Sequence, residues 1–111
     1  MRAYERLLKY VKVHTTSDES TGTLPSTQRQ FTLAHILAEE MQEIGISDVK
    51  VDDKCYVYGY IPATSGYEDR PRIGFIAHMD TSPDASGDVS IWAINPMRGL
   101  SSYPEVAGKH P

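Results

Sequence analysis

Arg72-Ile73-Gly74-Phe75-Ile76-Ala77-His78-Met79-Asp80-Thr81 is an almost continuous apolar run that stops abruptly in polar residues. Such runs, without polar alternation, mark strands buried on both faces, as in a parallel sheet covered by helices. The stretch therefore predicts a buried strand over Arg72–Ala77 with His78 at its carboxyl end. In open α/β sheets, ligands bind beyond the carboxyl ends of strands. His78 and Asp80 are two residues apart, so an extended chain directs both side chains to one side. Neutral imidazole is a favoured ligand for zinc and similar ions. The carboxylate has two uses beside it. It is either a co-ligand or the acceptor of the imidazole's other N–H, which holds the ring in its metal-binding tautomer. A lone His-x-Asp triplet is more often structural than catalytic, and its place after the apolar run is what singles this one out. Thr81-Ser82-Pro83-Asp84 then turns the chain away.

Upstream of this run lie two helical patterns and a hairpin pattern. From Arg2 to about Val13, Tyr4, Leu7, Leu8 and Val11 form one stripe at helical spacing on a charged segment. His14 to Thr23 is polar and reads as a loop. Pro25-Ser26-Thr27-Gln28-Arg29-Gln30 offers Ser26 or Thr27 as the cap of a second helix, with Gln30 at capping-box distance from Thr27. Phe31, Ala34, Leu37, Ala38, Met41 and Ile44 form its apolar face. Gly45 is its natural stop, because glycine accepts the left-handed conformation cheaply. Asp48–Asp53 and Cys55–Ile61 alternate as strands, and a turn around Asp52-Asp53-Lys54 joins them as a hairpin. Ala63–Pro71 is a turn-rich connection. Helices followed by strands, one of them fully buried, make this an α/β layer structure.

The chain has 111 residues, the size of one domain. With 11 basic and 15 acidic side chains its net charge is −4, which argues against a nucleic-acid binder. No apolar run approaches the ~18 residues of a membrane helix, and the first residues lack the apolar core of a signal peptide. Cys55 is the one cysteine, so no internal disulfide forms and a reducing, cytoplasmic setting is expected. Beyond Asp88 no helix or strand period continues. The predicted elements make a thin core, the part of a domain rather than the whole.

Other reactive residues carry bland readings. His14 is expected to cap carbonyls at a helix end, and His35 to be exposed beside the stripe of the second helix. Cys55 is expected to be a small buried hydrophobe. Tyr56, Tyr58 and Tyr60 alternate on one strand face and are expected to pack. His110 and Glu105 sit in the tail and receive no role.

Three stretches carry a family resemblance: Arg6–Asp18, Thr23–Phe31 and, most strongly, Ile73–Asp84. Together they resemble the M20 family of dinuclear-zinc peptidases, over about residues 1–88. The Pro25-Ser26-Thr27-Gln28 and Ala77–Asp84 segments are similar to its tripeptide-aminopeptidase branch in particular. The resemblance implies the incomplete N-terminal part of an M20-type catalytic domain, with two helices, a hairpin and a buried strand. It implies that His78 is a ligand of one zinc ion and Asp80 the catalytic-site carboxylate beside it, orienting His78. It implies zinc as the cofactor, two ions in the complete family enzyme and part of one site here. Small peptides are the implied partners, with neither nucleic acid nor membrane, and the complete enzyme is implied to pair as a homodimer.

The family's bridging aspartate, glutamate base and further ligands have no matching positions in this chain. Residues 89–111 are an unmatched tail, as expected of a truncated or frameshifted product. Two other readings stand beside the aminopeptidase. One is a non-catalytic fragment or interaction module that associates through uncovered apolar surface. The other is a related M20 deacylase or carboxypeptidase.

Overall fold

The computed structural model describes residues 1–85; the readings on the tail, including Glu105 and His110, lie outside the described residues. The elements are helix α1 (Ala3–Tyr10), a single 3-10 turn (Glu19–Thr21), helix α2 (Gln30–Glu43) and strands β1 (Ser47–Val51) and β2 (Val57–Tyr60). β1 and β2 form a two-stranded antiparallel sheet, with Val51 opposite Val57 and Lys50 opposite Tyr58. No helix among the described residues is long and apolar enough to cross a membrane.

α1 begins where the Glu5 carboxylate accepts a hydrogen bond from the Arg2 N–H at 2.5 Å, which satisfies one orphan donor of the first turn. Its predicted stripe does not form core. Tyr4 and Leu7 are exposed, Leu8 is 39% exposed, and no residue of the helix is buried. What joins α1 to α2 is polar. Glu40 is only 5% exposed and accepts from Arg6 Nη1 at 3.0 Å, from Lys9 Nζ at 2.5 Å and from the Tyr10 hydroxyl.

α2 starts at Gln30 with Arg29 at the cap position and no side-chain cap, two residues later than the Thr27 cap predicts. The reason is competition. The Thr27 hydroxyl donates to the Thr16 carbonyl at 2.9 Å, and the Gln30 side-chain amide turns back to Ser26 Oγ and Thr27 Oγ1, both at 3.1 Å. The end of α2 follows expectation. Gly45 has φ 87°, the Gly45 N–H bonds to the Gln42 carbonyl and the Ile46 N–H to the Met41 carbonyl, both at 3.0 Å. This is the paired closure that satisfies the last carbonyls of a helix. Leu33 and Ala34 are buried, Phe31, Leu37, Ala38 and Met41 are half-buried, and Ile44 is exposed.

The hairpin turn is built by Asp52. Its carboxylate accepts from the Lys54 and Tyr56 N–H groups at 3.0 and 2.9 Å, and its carbonyl from the Cys55 N–H at 3.1 Å. Cys55 is buried as expected, and burial together with Asp52 pushes its thiol pKa up. Tyr56 and the β2 residues Tyr58 and Tyr60 are exposed instead of packing into the core. Tyr56 meets Tyr58 edge-on, Lys50 lies over the Tyr58 ring, and Arg72 lies over the Tyr60 ring. Gly59 sits against α2, where a Cβ would overlap Met41 Cε and Ile46 Cγ2. Gly59→Val is therefore expected to destabilise the chain by about 1–3 kcal/mol, read as a lower urea midpoint.

The buried strand expected over Arg72–Ala77 is absent. Residues 71–80 form neither helix, strand, turn nor bend, and Ile73, Phe75 and Ile76 are 81%, 95% and 101% exposed. A strand exists only by pairing, and among the described residues no main-chain hydrogen bond reaches Arg72–His78. The apolar character of the run is real, but the layers that would cover it are not among the described residues.

Candidate functional site

The extended segment is anchored at its far end. Thr81 forms a parallel bridge with Thr16: the Thr81 N–H donates to the Thr15 carbonyl at 3.1 Å, and the Ser17 N–H donates to the Thr81 carbonyl at 3.0 Å. Short hydroxyl side chains reinforce the bridge. Ser17 Oγ donates to the Thr81 carbonyl at 3.0 Å, and Thr16 and Thr81 donate to the Ala85 carbonyl at 2.9 and 2.6 Å. The third stretch enters through Thr27 and through Arg29 Nε, which donates to the Thr16 carbonyl at 3.2 Å. Thus the three stretches that carry the family resemblance meet in one place. Thr15 is 2% exposed at the centre of this junction.

His78 and Asp80 lie just before the bridge. His78 Nδ1 is 3.2 Å from Asp80 Oδ1 and 3.0 Å from the Asp80 main-chain carbonyl. A carbonyl oxygen only accepts, so Nδ1 carries the hydrogen and donates. In the neutral ring Nε2 then holds the lone pair, the form that ligates a metal. The His78 side chain is 86% exposed and that of Asp80 is 38% exposed. The pair fits a metal site as one nitrogen ligand with its orienting carboxylate. It does not complete one: among the described residues no group of three or more His, Cys, Asp and Glu side chains is placed to hold an ion.

Beside the bridge is an open depression of about 430 Å³ lined by Thr16, Ser17, Asp18, Glu19, Ser20, Arg29 and Pro83. Asp18 is held below the usual carboxylate range by hydrogen bonds from the Ser20 hydroxyl and N–H, and more weakly by the Arg29 charge. His78 and Asp80 do not line it. His14 lies beyond the end of α1 and contacts Thr16 Oγ1 at 3.1 Å instead of capping carbonyls. His35 is exposed, as expected, and stacks on Phe31. The bridging role of Thr15–Ser17 escapes sequence reading, because a two-residue contact across 64 positions leaves no period. The run of small hydroxyl residues from Thr15 to Ser17 is the one local trace of it.

No protein-family model matches the chain. Curated relatives do, and those it matches are peptidases by name. The protein it resembles is peptidase T. The chain is 52% identical over 86 residues to peptidase T of Clostridium perfringens, which covers 78% of this chain and 21% of that protein. It is 54% identical over 84 residues to peptidase T of Clostridium acetobutylicum and 51% identical over 84 residues to that of Aliivibrio fischeri. Those alignments cover 76% of this chain and 20% of each relative. The chain is thus a relative of peptidase T that matches its N-terminal region and spans about a fifth of the length of these proteins.

Proposed function

We propose that the chain is the N-terminal part of a zinc-dependent aminopeptidase that releases the first residue of tripeptides. His78 is the proposed metal ligand and Asp80 the carboxylate that orients it. The observation that supports this reading most is the agreement between the half-identical relatives and the His78–Asp80 contact, which lies in the strongest of the matching stretches. His78 contributes Nε2, and Asp80 keeps Nδ1 protonated through its carbonyl and its carboxylate. When bound, zinc supplies Lewis acidity and an acidified water. Thr81 and Thr16 hold the turn that follows the pair, so the histidine stands on an anchored segment. The same reading expects a cytoplasmic protein whose partners are small peptides and whose complete form is a homodimer.

Three of the described glutamates have other uses. Glu5 caps α1, Glu40 joins two helices, and Glu68 accepts from the Gly66 N–H at 2.9 Å. No general base is assigned among them. The purified chain with excess zinc is therefore expected to release no amino acid from a mixed tripeptide pool, because hydrolysis needs both a firmly held metal and a base within hydrogen-bond reach of its water. Grafting residues 1–85 in place of the matching region of the Clostridium perfringens protein is expected to give metal-dependent turnover. A graft with native helix content and size that releases nothing would refute the reading, as would turnover by the isolated chain.

The exposure of Phe75 and Ile76 favours a second reading, a non-catalytic chain that acts by association. It predicts an inactive graft and a concentration-dependent molecular mass.

A further inference from the structure

We propose that Thr27 and Arg29, at the entry to α2, are positioning residues for His78: they hold the Thr16 carbonyl and, through the Thr16–Thr81 bridge, the Asp80 carbonyl that fixes the ring. What this does for a metal rests on the reading of His78 as its ligand. The link itself is made of hydrogen bonds within the chain.

Two peptide units carry the link. A trans peptide is planar, and its C=O and N–H point in opposite directions. The Asp80 carbonyl and the Thr81 N–H belong to one such unit. The Thr81 N–H donates to the Thr15 carbonyl at 3.1 Å, so the Asp80 carbonyl is turned the other way, and there it accepts from His78 Nδ1 at 3.0 Å. Its orientation therefore depends on the bridge. The Thr16 carbonyl and the Ser17 N–H form the second unit. The Ser17 N–H donates to the Thr81 carbonyl at 3.0 Å, and the Thr16 carbonyl accepts from Thr27 Oγ1 at 2.9 Å and from Arg29 Nε at 3.2 Å. Two donors, one of them charged, thus hold one end of the unit whose other end grips Thr81. Hydrogen bonds in such a series polarise and strengthen one another.

The bridge needs this support. It lies outside both strands, so among the described residues no ladder extends it. The rigid body beside it is α2, which packs on both strands and buries Leu33 and Ala34. Thr27 is half-buried and Thr15 is 2% exposed, so this end of the link is shielded from water. The other end is wet. The His78 side chain is 86% exposed, and water competes for the hydrogen on Nδ1. A carbonyl held in place keeps that hydrogen, and a loose one shares it with solvent. Rigidity at His78 is therefore imported from α2, and Thr27 and Arg29 are the contacts that carry it.

The test uses the isotope-labelled full chain without metal, in mildly alkaline buffer where imidazole is neutral. Long-range proton–nitrogen correlation spectra report, ring by ring, which nitrogen carries the hydrogen. His78 is expected mainly in the Nδ1–H form. Thr27→Val removes the hydroxyl at nearly constant shape, and Gln30, which also reaches Thr27, keeps Ser26 Oγ at 3.1 Å. It is expected to lower the ratio of Nδ1–H to Nε2–H at His78 at least about threefold, within the worth of one hydrogen bond. Thr27→Ser keeps the hydroxyl and is expected to keep the ratio. His35, whose ring stacks on Phe31, is expected to stay unchanged throughout. Arg29→Ala, at an exposed residue, is expected to act in the same direction as Thr27→Val, and it decides the matter if Thr27→Val loses native helix content by circular dichroism. In the grafted peptidase Thr27→Val is expected to weaken zinc binding about tenfold and Thr27→Ser to restore it. A His78 ring mainly in the Nε2–H form would overturn the proposal. So would a ratio that neither Thr27→Val nor Arg29→Ala moves, or a Thr27→Ser chain that behaves as Thr27→Val does. A wild-type graft that binds no zinc would instead refute the metal reading, whereas the tautomer ratio by itself decides the positioning.

Discussion

In the grafted peptidase, His78→Ala is expected to lower tripeptide turnover by more than about 100-fold, beyond the usual cost of a residue that only orients a ligand. Bound zinc, measured on the same preparation, is expected to fall with it. The expectation comes from the tautomer: the Asp80 carbonyl at 3.0 Å fixes the hydrogen on Nδ1 and leaves Nε2 as the donor atom. Asp80→Ala is expected to cost about 10–100-fold with a smaller loss of zinc. The main-chain carbonyl survives that substitution and still holds the ring, so metal retention and rate should separate. An Asp80→Ala rate within a factor of about two, only ~0.4 kcal/mol, would remove Asp80 from the proposed site.

Glu40→Gln is expected to loosen α1 and to cost roughly 2 kcal/mol at neutral pH, the scale of hydrogen bonds to a charged group. No residue of α1 is buried, so among the described residues little apolar packing stands beside this link. The Lys9 ammonium, the Tyr10 hydroxyl and the Arg6 guanidinium hold the Glu40 carboxyl pKa down to about 2 against the opposing effect of burial. A depressed carboxyl pKa stabilises the folded state above its unfolded pKa of about 4.3 and loses that contribution as pH falls toward the folded value. Urea titrations followed by circular dichroism should therefore show wild-type stability falling between about pH 4.3 and pH 2, and that part of the fall missing in Glu40→Gln. Equal midpoints at pH 7, or equal acid slopes, would show that α1 docks by other means.

Sequence alone was enough where the physics is local. The stop of α2 at Gly45 depends on one residue's access to positive φ and on hydrogen bonds spanning a few positions. The hairpin depends on Asp52 folding back on its own loop, and the buried Cys55 beside it follows. The two-residue spacing that faces His78 toward Asp80 was legible for the same reason.

Tertiary structure decided the rest. Thr27 was a sound cap by spacing, but the Thr16 carbonyl, 11 residues away, took its hydroxyl and moved the start of α2. The stripe on α1 had helical period, yet it is Glu40, three turns into α2, that ties the helix down among the described residues. Most plainly, the apolar run at Arg72–Ala77 shows what those residues prefer and not what they find. Burial and strand pairing belong to the partners as much as to the segment, and a sequence window contains only one side of such a contact. The joining of Thr15–Ser17 to Thr81 is of the same kind. No periodicity in either stretch refers to the other, and only the folded chain brings them together.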